Sequence, residues 1–175
     1  MNKSIILVGY MCVGKTTIGR DLAKLMNRTF YDLDWYIEER YHTKVSQIFA
    51  EKGEAHFRDL ERRMLHEVAE FENVVLSCGG GTPCFFDNID YMNHVGEVFY
   101  LKASPETILQ HLSMSRGERP LLKDKTPEQL QQFVTEQLAQ REPFYSKARH
   151  IVDVNVLDSF DKIKFVTQDI ANAIG

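Results

Sequence analysis

The segment Gly9-Tyr10-Met11-Cys12-Val13-Gly14-Lys15-Thr16 fits the pattern G-x-x-x-x-G-K-[ST], a loop whose backbone N–H groups cradle nucleotide phosphates. Each residue type has a chemical task. Glycine lets the main chain turn tightly and come close to the phosphates. Lys15 reaches the β- and γ-phosphates, Thr16 offers a hydroxyl to Mg²⁺, and a helix opening here aims its positive end at the anion. The stretch Cys12, Val13, Gly14, Lys15, Thr16 and Thr17 is therefore the expected nucleotide site, and the chain is expected to bind a nucleoside triphosphate.

Other residues downstream have the types that such a site needs. Asp32-Leu33-Asp34 follows the aromatic pair Phe30-Tyr31, and alternation along an extended chain predicts that both carboxylates point the same way. Near a triphosphate and its metal, one carboxylate can hold metal-bound water while the other orients or deprotonates an attacking hydroxyl. The same pattern also fits a helix N-cap with a neighbouring surface acid. Gly79-Gly80-Gly81 forfeits roughly 0.5–1 kcal/mol per glycine relative to Ala in regular structure. That cost points to close backbone approach by a ligand or a neighbouring segment.

Arg58, in Phe57-Arg58-Asp59-Leu60-Glu61, falls beside an apolar helical face. By spacing alone it reads as part of a solvated helix laced with charge pairs, Arg58–Glu61 among them. Arg141 reads in the same way, as a cation completing a helix C-terminus. Arg116 to Lys125 is charged, carries Gly117 and Pro120, and breaks the periodicity. It is expected to be either a lid carrying arginine over the phosphates or a solubilising surface loop.

The elements that must position these residues alternate between strand-like and helix-like, the signature of an α/β fold with a mainly parallel sheet. Expected strands are Ile5–Val8, Thr29–Tyr31, Val74–Ser77, Val98–Leu101 and His150–Val154. Ser104-Pro105 and Thr126-Pro127-Glu128-Gln129 carry helix-start signals, the second a capping box. A closing helix is expected after Ser159. In an open α/β sheet, ligands sit beyond the carboxyl ends of the strands, and there lie the phosphate loop, Asp32 and Asp34, and the three glycines.

Bulk properties bound the answer. The 175 residues suit one domain, and the 43% hydrophobic and 26% charged fractions are those of a soluble globular chain. A net charge of −4 supplies no basic field for nucleic acid or anionic membrane. No apolar run approaches the roughly 20 residues needed to span a bilayer. Cys12, Cys78 and Cys84 are odd in number and lack C-x-x-C spacing, which argues against disulfides or zinc and for a reducing cytoplasm. The histidines have no metal-ligand spacing.

Taken in order, Gly9–Thr16, Asp32-x-Asp34, Phe57-Arg58-x-x-Glu61, Gly79–Gly81, Arg119-Pro120-Leu121-Leu122 and Arg141-x-Pro143-x-Tyr145 resemble the shikimate kinase family over the whole chain. The resemblance implies a P-loop kinase fold, with a five-stranded parallel sheet of order 2-3-1-4-5 flanked by helices and a lid loop. One domain would span 1–175, with an acceptor-binding region at about 33–61 and the lid at about 112–125. The implied reaction moves the ATP γ-phosphate to the 3-hydroxyl of shikimate, in aromatic amino-acid biosynthesis.

Carried over by motif, Asp34 would bind and polarise that hydroxyl, Arg58 and Arg141 would hold the carboxylate, and the Gly80 backbone would contact the acceptor. Glu61 would steady the arginines. Lys15 and Arg119 would act on the phosphates, Arg119 from the lid. Thr16 and Asp32 would serve Mg²⁺, and the chain would act as a cytoplasmic monomer. A carboxylate clamp suits arginine, whose fork is bidentate.

Two departures stand out. Family members usually carry Gly where this chain has Cys12, so loop geometry or nucleotide affinity is expected to differ. Pro83 replaces an apolar residue and is expected to stiffen the exit from the glycine turn. Cys12, among loop N–H groups and close to Lys15, is also expected to alkylate readily and to be shielded by nucleotide. Two other readings share the phosphate loop: a kinase of another small acid such as gluconate or of a nucleoside monophosphate, and a nucleotide-binding switch without turnover.

Overall fold

A computed structural model describes residues 3–115, 122, 124–155 and 160–174. Its strands are β1 (Ser4–Val8), β2 (Thr29–Asp32), β3 (Val74–Ser77), β4 (Gly96–Lys102) and β5 (His150–Asp153). They form one sheet in the order β2-β3-β1-β4-β5, and every pairing is parallel. Ile5, Ile6, Leu7 and Val8 are all fully buried, as a central parallel strand covered on both faces requires.

The helices are α1 (Lys15–Leu25), α2 (Leu33–Tyr41), α3 (Val45–Ala69), α4 (Asn88–Val95), α5 (Pro105–Met114), α6 (Pro127–Tyr145) and α7 (Phe160–Ile174). The anticipated caps form. The Ser104 side chain accepts from the Thr107 N–H at the start of α5, and the Thr126–Gln129 capping box is complete at α6. The expected strands occur with shifts of one or two residues at their ends, largest at β4, which begins at Gly96.

Two local features differ from the sequence expectation. Asp34 does not continue an extended chain; it lies in the first turn of α2, which Asp32 caps by accepting from the Asp34 and Trp35 N–H groups. Arg141 does not end α6 but lies within it, because the helix runs on through Pro143 to Tyr145. Proline removes one hydrogen bond there, a loss tolerable within a turn of the helix end. In α3 the helical path breaks at Gly53, whose φ is 79°. Beyond that break Glu54, Phe57, Arg58 and Glu61 recur at helical spacing on one face.

Among the described residues, no helix is long and apolar enough to cross a membrane. The expected lid overlaps residues 116–121 and 123, so Arg116 and Arg119 lie outside the described residues.

Candidate active site

The site lies where the fold rule anticipates it, at the carboxyl ends of β1, β2 and β3. Between β1 and α1, Gly14 takes φ 95° and no side chain caps the first turn of α1. The N–H groups of that turn are left for an anion. Lys15 Nζ donates to the carbonyls of Gly9 at 2.9 Å and Tyr10 at 2.7 Å. Burial pulls the Lys15 amine down to about 8, a fall that the neighbouring carboxylates and thiols only partly offset. An ammonium held on loop carbonyls in a water-poor setting is prepared to exchange them for a more strongly charged acceptor.

Cys12 has φ 61°, in the left-handed region. The loop therefore keeps a geometry that suits glycine even though a side chain is present, at a strain of order 1–3 kcal/mol. The His111 Nδ1–H donates to the Cys12 carbonyl at 2.8 Å, tying α5 to the loop at the strained residue. Beside it, a cavity of about 270 Å³ is lined by Cys12, Gly14, Thr17, His111 and Ile163 among others.

Asp32 fulfils both of its readings at once. One carboxylate oxygen caps α2, and the other accepts from the Thr16 hydroxyl at 3.3 Å. A hydroxyl beside a carboxylate is an oxygen pair of the kind that suits a hard divalent cation such as Mg²⁺. Asp34, two residues further on, has its carboxyl raised to about 7 by burial, with the charges of Glu61 and Asp32 adding to the effect.

The three glycines after β3 explain their own cost. None has positive φ, so conformational freedom is not what the site needs from them. Space is. A Cβ on Gly79 would stand 3.3 Å from Asp34 Oδ1, one on Gly80 3.0 Å from Arg141 Nη1, and one on Gly81 2.5 Å from Arg58 Nη2. A Cβ on Gly80 would also be 3.5 Å from the Gly9 carbonyl oxygen. Asp34, Arg141 and Arg58 thus line one strip of bare backbone whose middle adjoins the phosphate loop.

Arg58 is held on several sides. Its guanidinium lies 4.1 Å from the Phe85 ring centroid and 5.3 Å and 5.7 Å from those of Phe57 and Phe49. Nη1 donates to Glu61 Oε1 at 2.9 Å, while Nε and Nη2 make longer contacts of 3.4 and 3.3 Å with Glu54. The Arg58–Glu61 pair read as a surface feature is in fact internal, with Glu61 only 1% exposed. Burial raises the Glu61 carboxyl, opposed by Arg58, Thr82 and Arg141.

Arg141 projects from a face of α6 that repeats every four residues. Gln137 accepts from the Tyr10 hydroxyl, Arg141 lies 5.5 Å from the Tyr10 ring centroid, and Tyr145 donates its hydroxyl to the Gly80 carbonyl. Tyr145 is fully buried, and burial raises its hydroxyl pKa. Sequence reasoning assigned no role to Tyr10, Gln137, Tyr145 or Thr82. Tyr10 and Tyr145 stand in the sequence motifs, and the i, i+4 spacing of 137, 141 and 145 places Gln137 and Tyr145 on one helical face with Arg141. Among the described residues, no group of three His, Cys, Asp or Glu is arranged to hold a metal.

The model of the family described as shikimate kinase matches residues 11–173. The shikimate kinase of Parabacteroides distasonis is 51% identical, with 98% of this chain and 97% of that protein covered. The crystal structure of shikimate kinase from Bacteroides thetaiotaomicron superposes with a TM-score of 0.95 at 45% identity, covering 98% of each chain. Shikimate kinase from Acinetobacter baumannii, solved in complex with shikimate, gives 0.83 at 33% identity over 99% of this chain and 95% of that one. On fold, sequence and order of motifs, the chain belongs to the shikimate kinase family.

Proposed function

We propose that this chain transfers the γ-phosphate of ATP to the 3-hydroxyl of shikimate, giving shikimate 3-phosphate and ADP, as one P-loop kinase domain over 1–175. The observation that carries the proposal is the glycine strip. Its three residues abut a carboxyl near neutrality and two guanidinium groups, and its centre lies against the phosphate loop. A small hydroxy acid matches that set; a switch without turnover needs no second pocket.

The contacts support the following roles. The N–H groups of Cys12 to Thr17 and the start of α1 receive the phosphates, and Lys15 leaves the Gly9 and Tyr10 carbonyls for the β- and γ-oxygens. The cavity lined by Thr17, His111 and Ile163 seats the nucleoside. Thr16 and Asp32 would hold Mg²⁺, which when bound neutralises charge on the phosphates. Arg58, in the region 33–61, and Arg141, on α6, hold the acceptor's carboxylate, and the Gly80 backbone meets its ring.

Asp34 then faces the hydroxyl to be phosphorylated and, with a pKa close to the working pH, accepts its hydrogen bond and proton. Phosphoryl transfer needs little covalent help from a protein, so positioning and charge account for most of the catalysis. Arg119, on the segment 112–125, would close over the phosphates. The unpaired state of Cys12, Cys78 and Cys84 supports a reducing, cytoplasmic setting, and the chain works as a monomer.

The test is coupled ADP release with shikimate, gluconate, a nucleoside monophosphate and no acceptor. Release is expected with shikimate alone. Release independent of any acceptor would favour the switch, and release with gluconate would move the chain to another small-acid kinase.

A further inference from the structure

A buried carboxylate is costly unless its oxygens are satisfied, and the two oxygens of Glu61 are satisfied by different elements. Oε1 accepts from Arg58 Nη1 at 2.9 Å. Oε2 accepts from the Thr82 hydroxyl at 2.7 Å. Thr82 is fully buried and opens the short 3-10 turn Thr82–Cys84 that follows the glycines. That turn is itself fixed. The Thr82 N–H donates to the Gly79 carbonyl at 3.1 Å, and the Thr82 carbonyl accepts from Asn88 Nδ2 at 2.9 Å. Asn88, at the start of α4, is fully buried too.

We propose that Thr82 is a positioning residue for acceptor recognition: its hydroxyl holds Glu61, and Glu61 sets the angle at which Arg58 presents its fork. The inference rests on the reading of Arg58 as a carboxylate anchor. Phe85, one residue beyond the turn, stacks on the same guanidinium at 4.1 Å, so this turn steadies Arg58 both directly and through Glu61. Without the hydroxyl, Oε2 is left unpaired in a closed site. Glu61 must then turn or take up a proton, and either change removes the reference against which Arg58 is placed.

The test is steady-state kinetics of Thr82→Val, Thr82→Ala and Thr82→Ser with shikimate and ATP varied separately. Val keeps the shape without the hydroxyl, and Ala guards against a misfit of Val. For Val and Ala, loss of one buried, charge-assisted hydrogen bond is expected to raise the shikimate KM about tenfold, with kcat and the ATP KM within about twofold of the unsubstituted chain. Ser, which keeps the hydroxyl, should restore the shikimate KM. An unmoved shikimate KM in the folded Val and Ala variants overturns the proposal. So does a joint loss of kcat and ATP affinity, or a Ser variant as impaired as Val, since either marks a general packing role. The unsubstituted chain separates the two failures. If it shows no shikimate turnover, the functional reading falls and this proposal with it; if it turns shikimate over and the variants match it, only the proposal falls.

Discussion

Arg58 lies so close to Gly81 that a methyl group on that glycine would fall 2.5 Å from Nη2 and 2.8 Å from Cζ. The guanidinium has little room to yield, being tied to Glu61 and packed against Phe85 and Phe57. Gly81→Ala is therefore expected to displace Arg58 and raise the shikimate KM by roughly one to two orders of magnitude, the scale of a lost charge-assisted contact. Gly80→Ala meets Arg141 at 3.0 Å, a spacing that a shift of a few tenths of an ångström relieves, and should cost less. Kinetics of the two variants side by side check the ranking; equal KM values would mean that Arg58 is not fixed as described.

Asp34 gives the pH dependence. Its carboxyl is raised from 3.8 to about 7, so in the free enzyme it is protonated below that pH and cannot accept a proton. The amine of Lys15, lowered to about 8, loses its charge above that pH. Accordingly kcat/KM for shikimate should rise through pH 7, and kcat/KM for ATP should fall above pH 8. Stability runs the opposite way to that gain in activity. A carboxyl whose folded pKa is raised binds more protons folded than unfolded, so its ionisation costs stability as pH rises from about 4 through 7. Asp34→Asn should abolish most turnover yet stabilise the fold at pH 8 by on the order of 1–2 kcal/mol, once solvent screening in a half-buried site is allowed for, and so raise Tm there. A lower Tm at pH 8 would show that the ionised carboxylate is not strained.

Much of this was legible in the chain, for identifiable reasons. The phosphate loop and the glycine triplet are local, since their function is set by consecutive backbone atoms. Asp32 and Asp34 share a site because Asp32 caps the helix whose first turn carries Asp34, the N-cap alternative, and not because an extended chain alternates. The convergence of Arg58 and Arg141 has no local signal. It arises where α3 and α6 meet the end of β3, and only the resemblance anticipated it. Thr82 was invisible for a similar reason, its partner Glu61 lying on another helix. The arginine assigned to the lid, Arg119, lies outside the described residues.

Glu54 occupies the edge of Arg58 that an incoming carboxylate would use. One oxygen of Glu54 receives both Nε and Nη2, at 3.4 and 3.3 Å, and its side chain is 58% exposed. Contacts so long and wet are worth about 0.2–1 kcal/mol. An acceptor must displace them, so Glu54→Gln should lower the shikimate KM by up to about fivefold at constant kcat. A raised KM would instead make Glu54 a support for Arg58.

Thiol chemistry reports on the loop. Cys78 is buried with its thiol pushed well up, and Cys84 is raised to about 11 by burial. Cys12, half-buried at the cavity beside the phosphate loop, is the remaining thiol. Iodoacetamide at neutral pH should label Cys12 first, and ADP should slow that labelling at least severalfold. Mass spectrometry of the labelled peptides checks both points, and equal rates with and without ADP would place the nucleotide away from Cys12.

The central claim is that two guanidinium groups, from α3 and α6, read the acceptor's carboxylate beside the phosphate loop. Its most direct measurement compares kcat/KM for shikimate and for its methyl ester, which keeps the hydroxyls but not the charge, in the unsubstituted chain, Arg58→Ala and Arg141→Ala. The unsubstituted chain should prefer the acid by about 100-fold or more, and each substitution should remove at least tenfold of that preference. Full discrimination surviving in both variants would contradict the account.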